Sequence, residues 1–175
     1  CALSSALFAA RVVHHVLLIA VAAPLLALAR PAHRSRALAV SFFASTVVLW
    51  VWHLPAAYDG ALSHVALYWV MQLTLLASAT AFWRAAFAEG EPPVGRLAGV
   101  IAALAQMGML GAILTFAPAP LYAAHGAAPL LWGLTPLEDQ VLGGLIMWVP
   151  AALPYALAAG FIARRSWAGL RSTAA

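Results

Sequence analysis

Long apolar runs alternate with short polar breaks along this chain, and the runs have the length of membrane-spanning helices. A helix needs about 20 mostly apolar residues to cross a bilayer. Five stretches meet that requirement: residues 12–29, 37–54, 64–87, 96–117 and 141–163. Prolines punctuate the breaks, and the alternation typical of barrel strands is missing. The pattern predicts an all-α, polytopic membrane helix bundle with about five transmembrane helices.

The fifth apolar run contains residues that shape a helix. Gly143 and Gly144 permit a neighbouring helix to approach closely. Pro150 and Pro154 are expected to kink the run near the middle of the bilayer, because each lacks a backbone N–H.

The composition agrees with a membrane protein and excludes several functions. The chain is 65% hydrophobic and 8% charged, with a mean hydropathy of +0.95, whereas soluble domains have about 25% charged residues. Its nine cationic residues are all arginines, too dispersed for nucleic-acid binding. The single Cys1 cannot form an internal disulfide. The sequence has no P-loop, nucleophile elbow, CxxC or HExxH, so we expect no enzyme.

We expect residues 1–175 to form a single transmembrane helical domain. The chain does not begin with Met, which leaves open that further N-terminal helices precede residue 1.

Arginine placement predicts how the bundle is oriented. Cytoplasmic loops of membrane proteins are enriched in arginine and lysine. The breaks after the first, third and fifth helices lie on the same side of the membrane, and eight of the nine arginines are at these breaks. Only Arg11 lies on the other side. An N-terminus outside and a cytoplasmic C-terminus place eight arginines in the cytoplasm: Arg30, Arg34, Arg36, Arg84, Arg96, Arg164, Arg165 and Arg171.

Most other polar groups fall on the opposite, extracytoplasmic side. Five of the six histidines and three of the five carboxylates belong to it, and His33 is the exception. This group comprises His14, His15, His53, His64, His125, Asp59, Glu138 and Asp139.

A cluster of imidazoles and carboxylates on one membrane face suggests a transition-metal site. Imidazole suits copper and zinc, and a thioether adds a preference for Cu(I). Met71 follows His64 by seven residues, and Met147 follows Gln140 by seven, so each lies about two turns below the outer surface. Packing by the methionines and interfacial hydrogen bonding by the histidines are the competing interpretations.

Arg11 complicates a metal site at the start of the first helix. It precedes His15 by four residues and shares its helix face. A guanidinium there opposes a bound cation and favours a carboxylate partner, such as Asp59 or Asp139. Adjacent helical residues diverge by about 100°, so His14 and His15 are not expected to serve one site.

Four stretches resemble the CtaG-like cytochrome c oxidase assembly factors, a family of bacterial polytopic membrane proteins. They are "HHVLLIAVAAPLLAL", "WVWHLPAAYDGAL", "LTFAPAPLY" and "LEDQVLGGLIMWVP", spread over nearly the whole chain. The resemblance implies a role in maturing the terminal oxidase through copper delivery or handling, and a location in the bacterial inner membrane.

The resemblance also implies which positions matter. His15, His53, Asp59 and Asp139 fall on characteristic polar positions of the family. The family often has histidine at the place of Arg11 and a histidine pair at the places of Tyr68 and Gln72. Both pairs are altered here, which indicates a diverged member with a weakened or absent metal site.

These observations predict an assembly factor for a haem-copper cytochrome c oxidase that handles copper at the extracytoplasmic face without catalysis. His15, His53 and His64 are the candidate copper ligands, and Asp59 and Asp139 are expected to orient histidines or neutralise Arg11. An oxidase subunit or a copper chaperone is the expected partner, besides the lipid bilayer. The alternatives are a membrane scaffold subunit without metal and a b-type haem-binding or quinone-binding subunit.

Overall fold

The computed structural model describes residues 5–30 and 37–173, with side chains as far as residue 167. His33, Arg34 and Arg36 lie outside the described residues, as does the side chain of Arg171. Their predicted locations at one end of the bundle therefore stay predictions.

The described residues are helical nearly throughout and form no β-strand, which confirms the all-α prediction. Two short 3-10 turns, Ala123–His125 and Ala128–Trp132, lie between the helices Pro93–Phe116 and Pro136–Trp148. The helices are α1 (Phe8–Ala29), α2 (Leu38–His53), α3 (Pro55–Ser63), α4 (Val65–Phe87), α5 (Pro93–Phe116), α6 (Pro136–Trp148) and α7 (Ala152–Thr173).

Four helical segments are long and apolar enough to cross a membrane: Phe8–Ala29, Val65–Phe87, Pro93–Phe116 and Pro136–Trp167. The pair α2 and α3 would make a fifth, although the two helices meet at a bend of 74°. The number agrees with the expected five. Large apolar side chains cover the perimeter, including Val40 (73% exposed) and Phe43 (64% exposed). Such a surface is typical of a protein that is surrounded by lipid.

The bend after α2 follows from the sequence His53-Leu54-Pro55. The ring of a proline clashes with a helical conformation of the residue before it. Leu54 is accordingly extended, with φ −65° and ψ 132°. Pro55 then begins α3, where its missing N–H costs nothing. The sequence predicted only a short polar break between the second and third spans. Residues 55–63 instead form a helix that carries Tyr58 and Asp59 across the end of the bundle.

A π-helical turn in α1 allows a hydrogen bond between this helix and α4. The turn spans Leu17–Ala22, and a π-helix joins each carbonyl to the N–H five residues later. Pro24, five residues after Ile19, has no N–H to give. The Ile19 carbonyl instead accepts a hydrogen bond of 2.9 Å from Trp83 Nε1 on α4.

The fifth predicted span begins earlier than expected and is interrupted. Its first part, α6, begins at Pro136, and its second part, α7, begins at Ala152 after a break around Pro150. The expected interruption at Pro150 is therefore present. The expected close approach is also present, because a Cβ added to Gly144 would lie 2.6 Å from the carbonyl oxygen of Gly111 on α5.

The two ends of the bundle differ in chemistry. We call the end formed by the beginnings of α1, α4 and α6 the histidine end, and the opposite end the arginine end. At the arginine end, Arg165 pairs with Glu89 at 2.5 Å, and Arg96 Nη2 donates to Ser166 Oγ. The described residues thus have the sided distribution that the sequence predicted.

A candidate metal-binding site at the histidine end

Two imidazoles from different helices meet inside the bundle. The ring centroids of His15 on α1 and His53 on α2 are 6.2 Å apart, and the ring planes are inclined by 74°. Both residues are buried, whereas the neighbouring His14 is exposed and lies outside this pair, as expected. Over residues 5–30 and 37–173, no three His, Cys, Asp or Glu side chains come together as metal ligands would.

The His53 ring is held so that one nitrogen remains available. Its Nδ1 donates a hydrogen bond of 2.7 Å to the carbonyl oxygen of Leu49, one turn earlier. A neutral imidazole carries one proton, so the lone pair is on Nε2. Tyr122 also donates a hydrogen bond of 3.0 Å to the His53 carbonyl, which fixes the end of α2.

Gln72 on α4 contacts His15 and leaves an acceptor unpaired. Its Nε2 lies 3.4 Å from His15 Nε2, so the amide donates to the ring. The Gln72 Oε1 atom is buried and has no hydrogen-bond partner. A buried unpaired acceptor costs about 1–3 kcal/mol. A cation or an N–H group close to this oxygen would relieve that cost.

One turn nearer the end of the bundle, Arg11 lies over the ring of Tyr68, with its Cζ atom 5.4 Å from the ring centroid. The structure therefore pairs α1 and α4 at two successive levels: Arg11 with Tyr68, and His15 with Gln72. Arg11, Tyr68 and Gln72 are the three positions where the family resemblance implies further histidines. A cation–π contact occupies the first level, so only the second keeps an imidazole.

The expected carboxylate partners of Arg11 are used elsewhere. Asp139, which is fully buried, accepts hydrogen bonds from the backbone N–H groups of Phe8 at 2.6 Å and Ala9 at 3.0 Å. It therefore caps the beginning of α1, where a carboxylate complements the positive end of the helix. This capping role was not expected from the sequence, and the predicted roles of Asp139, to orient a histidine or to neutralise Arg11, stay predictions.

Asp59 has a similar role on the surface. It accepts hydrogen bonds from the N–H groups of Ala123 at 3.1 Å and Ala124 at 3.0 Å. The carboxylate thereby attaches α3 to the first 3-10 turn, and it does not contact the imidazole pair.

His64 is separated from the other candidate ligands. Its ring is exposed, and its Nδ1 lies 3.2 Å from the carbonyl oxygen of Gly60 in the preceding helix. Of the three predicted ligands, the structure brings together His15 and His53 only. His64 lies beyond the break that separates α3 from α4, and its ring contacts none of the described imidazoles.

A small cavity of about 10 Å³ borders both buried imidazoles. Two methionines share it, namely Met147 on α6 and Met107 on α5. Met147 was expected as a thioether near this face, but Met71, the other methionine considered, does not line the cavity. Met107 was missed, because nothing in its apolar surroundings distinguishes it before the helices are packed. The cavity is much smaller than a porphyrin.

His125 was placed at this end of the bundle by the sequence, but its partners were not predicted. Tyr58 donates a hydrogen bond of 2.7 Å to His125 Nε2, and His125 Nδ1 lies 3.3 Å from the Ala6 carbonyl oxygen. Burial lowers the pKa of the His125 imidazole. A neutral His125 accepts from Tyr58 and donates to Ala6, and so connects α3 to the residues just before α1.

The comparison with protein families shows which family the chain belongs to. The model of the cytochrome c oxidase caa3 assembly factor family (Caa3_CtaG) matches residues 35–168, which is well over half of the 175 residues. The match includes His53, while Arg11 and His15 precede it. No curated protein and no solved structure matches the chain.

Proposed function

We propose that this chain, which belongs to the cytochrome c oxidase caa3 assembly factor family, handles copper for an oxidase at the histidine end of its bundle. In this proposal the chain holds copper and passes it on, and it performs no catalytic step. The partner is an oxidase subunit or a copper chaperone that reaches the histidine end.

The approach of His15 and His53 is the observation that carries the proposal. The two rings come from separate helices, are 6.2 Å apart and are buried. Imidazole is a good copper ligand, and the lone pair on His53 Nε2 is not used by the hydrogen bond to Leu49. The pair therefore suits a bound metal better than a purely structural contact.

The distribution of charge supports an orientation in the membrane. Arg30, Arg84, Arg96 and Arg165 lie at the arginine end, and the positive-inside rule favours the cytoplasm for that end. The histidine end then faces the extracytoplasmic side of the bacterial inner membrane. The N-terminus of the chain is outside and the C-terminus is cytoplasmic in this arrangement.

A scaffold without metal is the competing function, and the Arg11–Tyr68 contact favours it. A guanidinium lies where a further ligand would be needed, and it repels a cation bound nearby. His15 lies one turn deeper than Arg11, however, and faces Gln72 and His53 rather than Tyr68.

A deletion strain separates copper handling from scaffolding. The amount of assembled oxidase is measured by its haem absorption spectrum, with and without added copper. The copper proposal predicts little oxidase without the chain, partial recovery with added copper, and no complementation by His53→Ala at normal protein level. His64→Ala serves as the matched control and should complement fully. Full complementation by His53→Ala, with no effect of copper, would favour the scaffold.

A further inference from the structure

The cavity beside the imidazole pair is lined by four residues whose side chains are of metal-binding types. His15, His53, Met107 and Met147 each line it, and each comes from a different helix: α1, α2, α5 and α6. The remaining lining side chains are aliphatic, namely Val12, Val16, Ile19 and Leu49. The four residues therefore border a common space that is otherwise apolar. His15 Nε2 accepts the hydrogen bond from the Gln72 amide, so that amide must turn away before the nitrogen can bind copper.

We propose that this cavity is a Cu(I) site with two imidazole and two thioether ligands. This inference rests on the proposed copper handling and names the oxidation state and the sulfur ligands of the same site. The volume of about 10 Å³ is roughly the minimum that accommodates one water molecule, so the cavity has space for a single ion.

The donor set selects a soft ion of low charge. Thioethers prefer Cu(I), while hard divalent ions prefer oxygen ligands. All four donors are neutral, so the charge of the ion is not compensated within the site. The desolvation cost of an ion grows with the square of its charge, which disfavours Zn(II) and Cu(II) in this buried position.

The crossing of α5 and α6 lies beside the cavity and close to both methionines. Gly111 on α5 and Gly144 on α6 are in contact, and a Cβ added to Gly111 would lie 3.1 Å from the Cβ of Met147. Met107 precedes Gly111 by one helical turn, and Met147 follows Gly144 by about one turn. Because α5 and α6 are antiparallel, both methionines lie on the same side of the crossing.

Packing alone explains a buried methionine, so the test needs a buried methionine elsewhere as a control. Met71, Met107 and Met147 are all buried, with 0%, 1% and 3% exposure. Only the last two line the cavity. Exchange of methionine for leucine keeps the volume approximately and removes the sulfur, so the fold should be retained.

The experiment uses the purified chain in detergent, loaded with Cu(I) under reducing conditions. X-ray absorption at the copper edge distinguishes sulfur from nitrogen neighbours, and competition with a Cu(I) chelator measures affinity. We expect sulfur and nitrogen neighbours in the wild type. The double variant Met107→Leu with Met147→Leu should lose the sulfur signal and bind at least about tenfold more weakly. Met71→Leu should match the wild type in both measurements.

Two different failures are distinguishable. Copper bound through nitrogen alone, with unchanged affinity in the double variant, would overturn the thioether site and leave the proposed copper handling intact. A wild type that binds no Cu(I) would overturn both. Preferential binding of Zn(II) over Cu(I) would also contradict the inference, because neutral soft ligands should favour the monovalent ion.

Discussion

The ring of His15 on α1 lies 6.2 Å from the ring of His53 on α2, inside the bundle. Neither helix could hold this arrangement alone. Asp139 caps the beginning of α1, and Trp83 binds the Ile19 carbonyl one turn below His15. The geometry of the imidazole pair therefore depends on contacts that can be changed without touching either ring.

Asp139→Asn should loosen α1. An asparagine has one acceptor oxygen and no charge, so it cannot replace both charge-assisted hydrogen bonds to the N–H groups of Phe8 and Ala9. We expect a loss of about 1–3 kcal/mol in the free energy of unfolding. Denaturant unfolding of the purified protein in mild detergent measures it.

Asp59→Asn is the matched control for that change. Asp59 also accepts two backbone hydrogen bonds, from Ala123 and Ala124, but these lie at the surface. The loss of unfolding free energy in Asp59→Asn should be smaller than in Asp139→Asn, because water can replace hydrogen bonds at the surface. Equal losses in the two variants would mean that burial of Asp139 contributes nothing to the anchoring of α1.

Gly144→Ala should disturb the crossing of α5 and α6. The added methyl group would lie 2.6 Å from the Gly111 carbonyl oxygen and 2.8 Å from the Thr115 backbone nitrogen. Backbone atoms cannot move aside as a flexible side chain can, so the helices must separate. We expect about 1–3 kcal/mol of destabilisation, measured by the same unfolding assay.

Gly108→Ala tests whether the crossing, rather than glycine itself, is responsible. Its added Cβ would meet Trp148 Cβ at 3.7 Å, an ordinary contact. Alanine also favours the helix by about 0.8–1.0 kcal/mol over glycine. Gly108→Ala should therefore be neutral or stabilising, and a loss as large as that of Gly144→Ala would count against the close crossing.

Acid should weaken the connection that His125 makes between α3 and the residues before α1. Burial lowers the pKa of His125 in the folded protein, with the Arg11 charge acting in the same direction and the Asp139 charge opposing it. The unfolded chain, with an ordinary pKa of about 6.5, then binds the proton first. The stability from neutral His125 is complete above about pH 6.5 and decreases as the pH falls toward the folded pKa.

Unfolding of the wild type and His125→Gln between pH 7.5 and 5.0 tests this dependence. All other ionisable groups are the same in both proteins, so the difference between the two curves isolates His125. The variant should lose less stability on acidification than the wild type. Parallel curves would show that His125 keeps its ordinary pKa in the fold.

The spans were predictable from the sequence, since apolar length alone determines whether a segment can cross a bilayer. The extended Leu54 and the break at Pro150 were predictable for a similar reason, because proline acts locally on the backbone. The helical character of residues 55–63 was harder to predict, since helix α3 is only nine residues long. Isolated helices of that length are marginal without tertiary contacts.

The site was predictable in part. The family resemblance indicated the positions of His15 and Gln72 but not their contact. The choice between His53 and His64 as the partner of His15 depends on packing. Both lie near the same turn of the chain, and only the bend at Leu54 separates them. The roles of Asp139 and Met107 depend on contacts across the bundle, which no local pattern specifies.

Titration with Cu(I) under reducing conditions, in competition with a chromophoric chelator, tests the central claim most directly. The wild type should bind one Cu(I) per chain, His53→Ala should bind it at least about tenfold more weakly, and His64→Ala should match the wild type. No binding by the wild type, or equal affinity in the wild type and His53→Ala, would contradict copper handling by the His15–His53 pair.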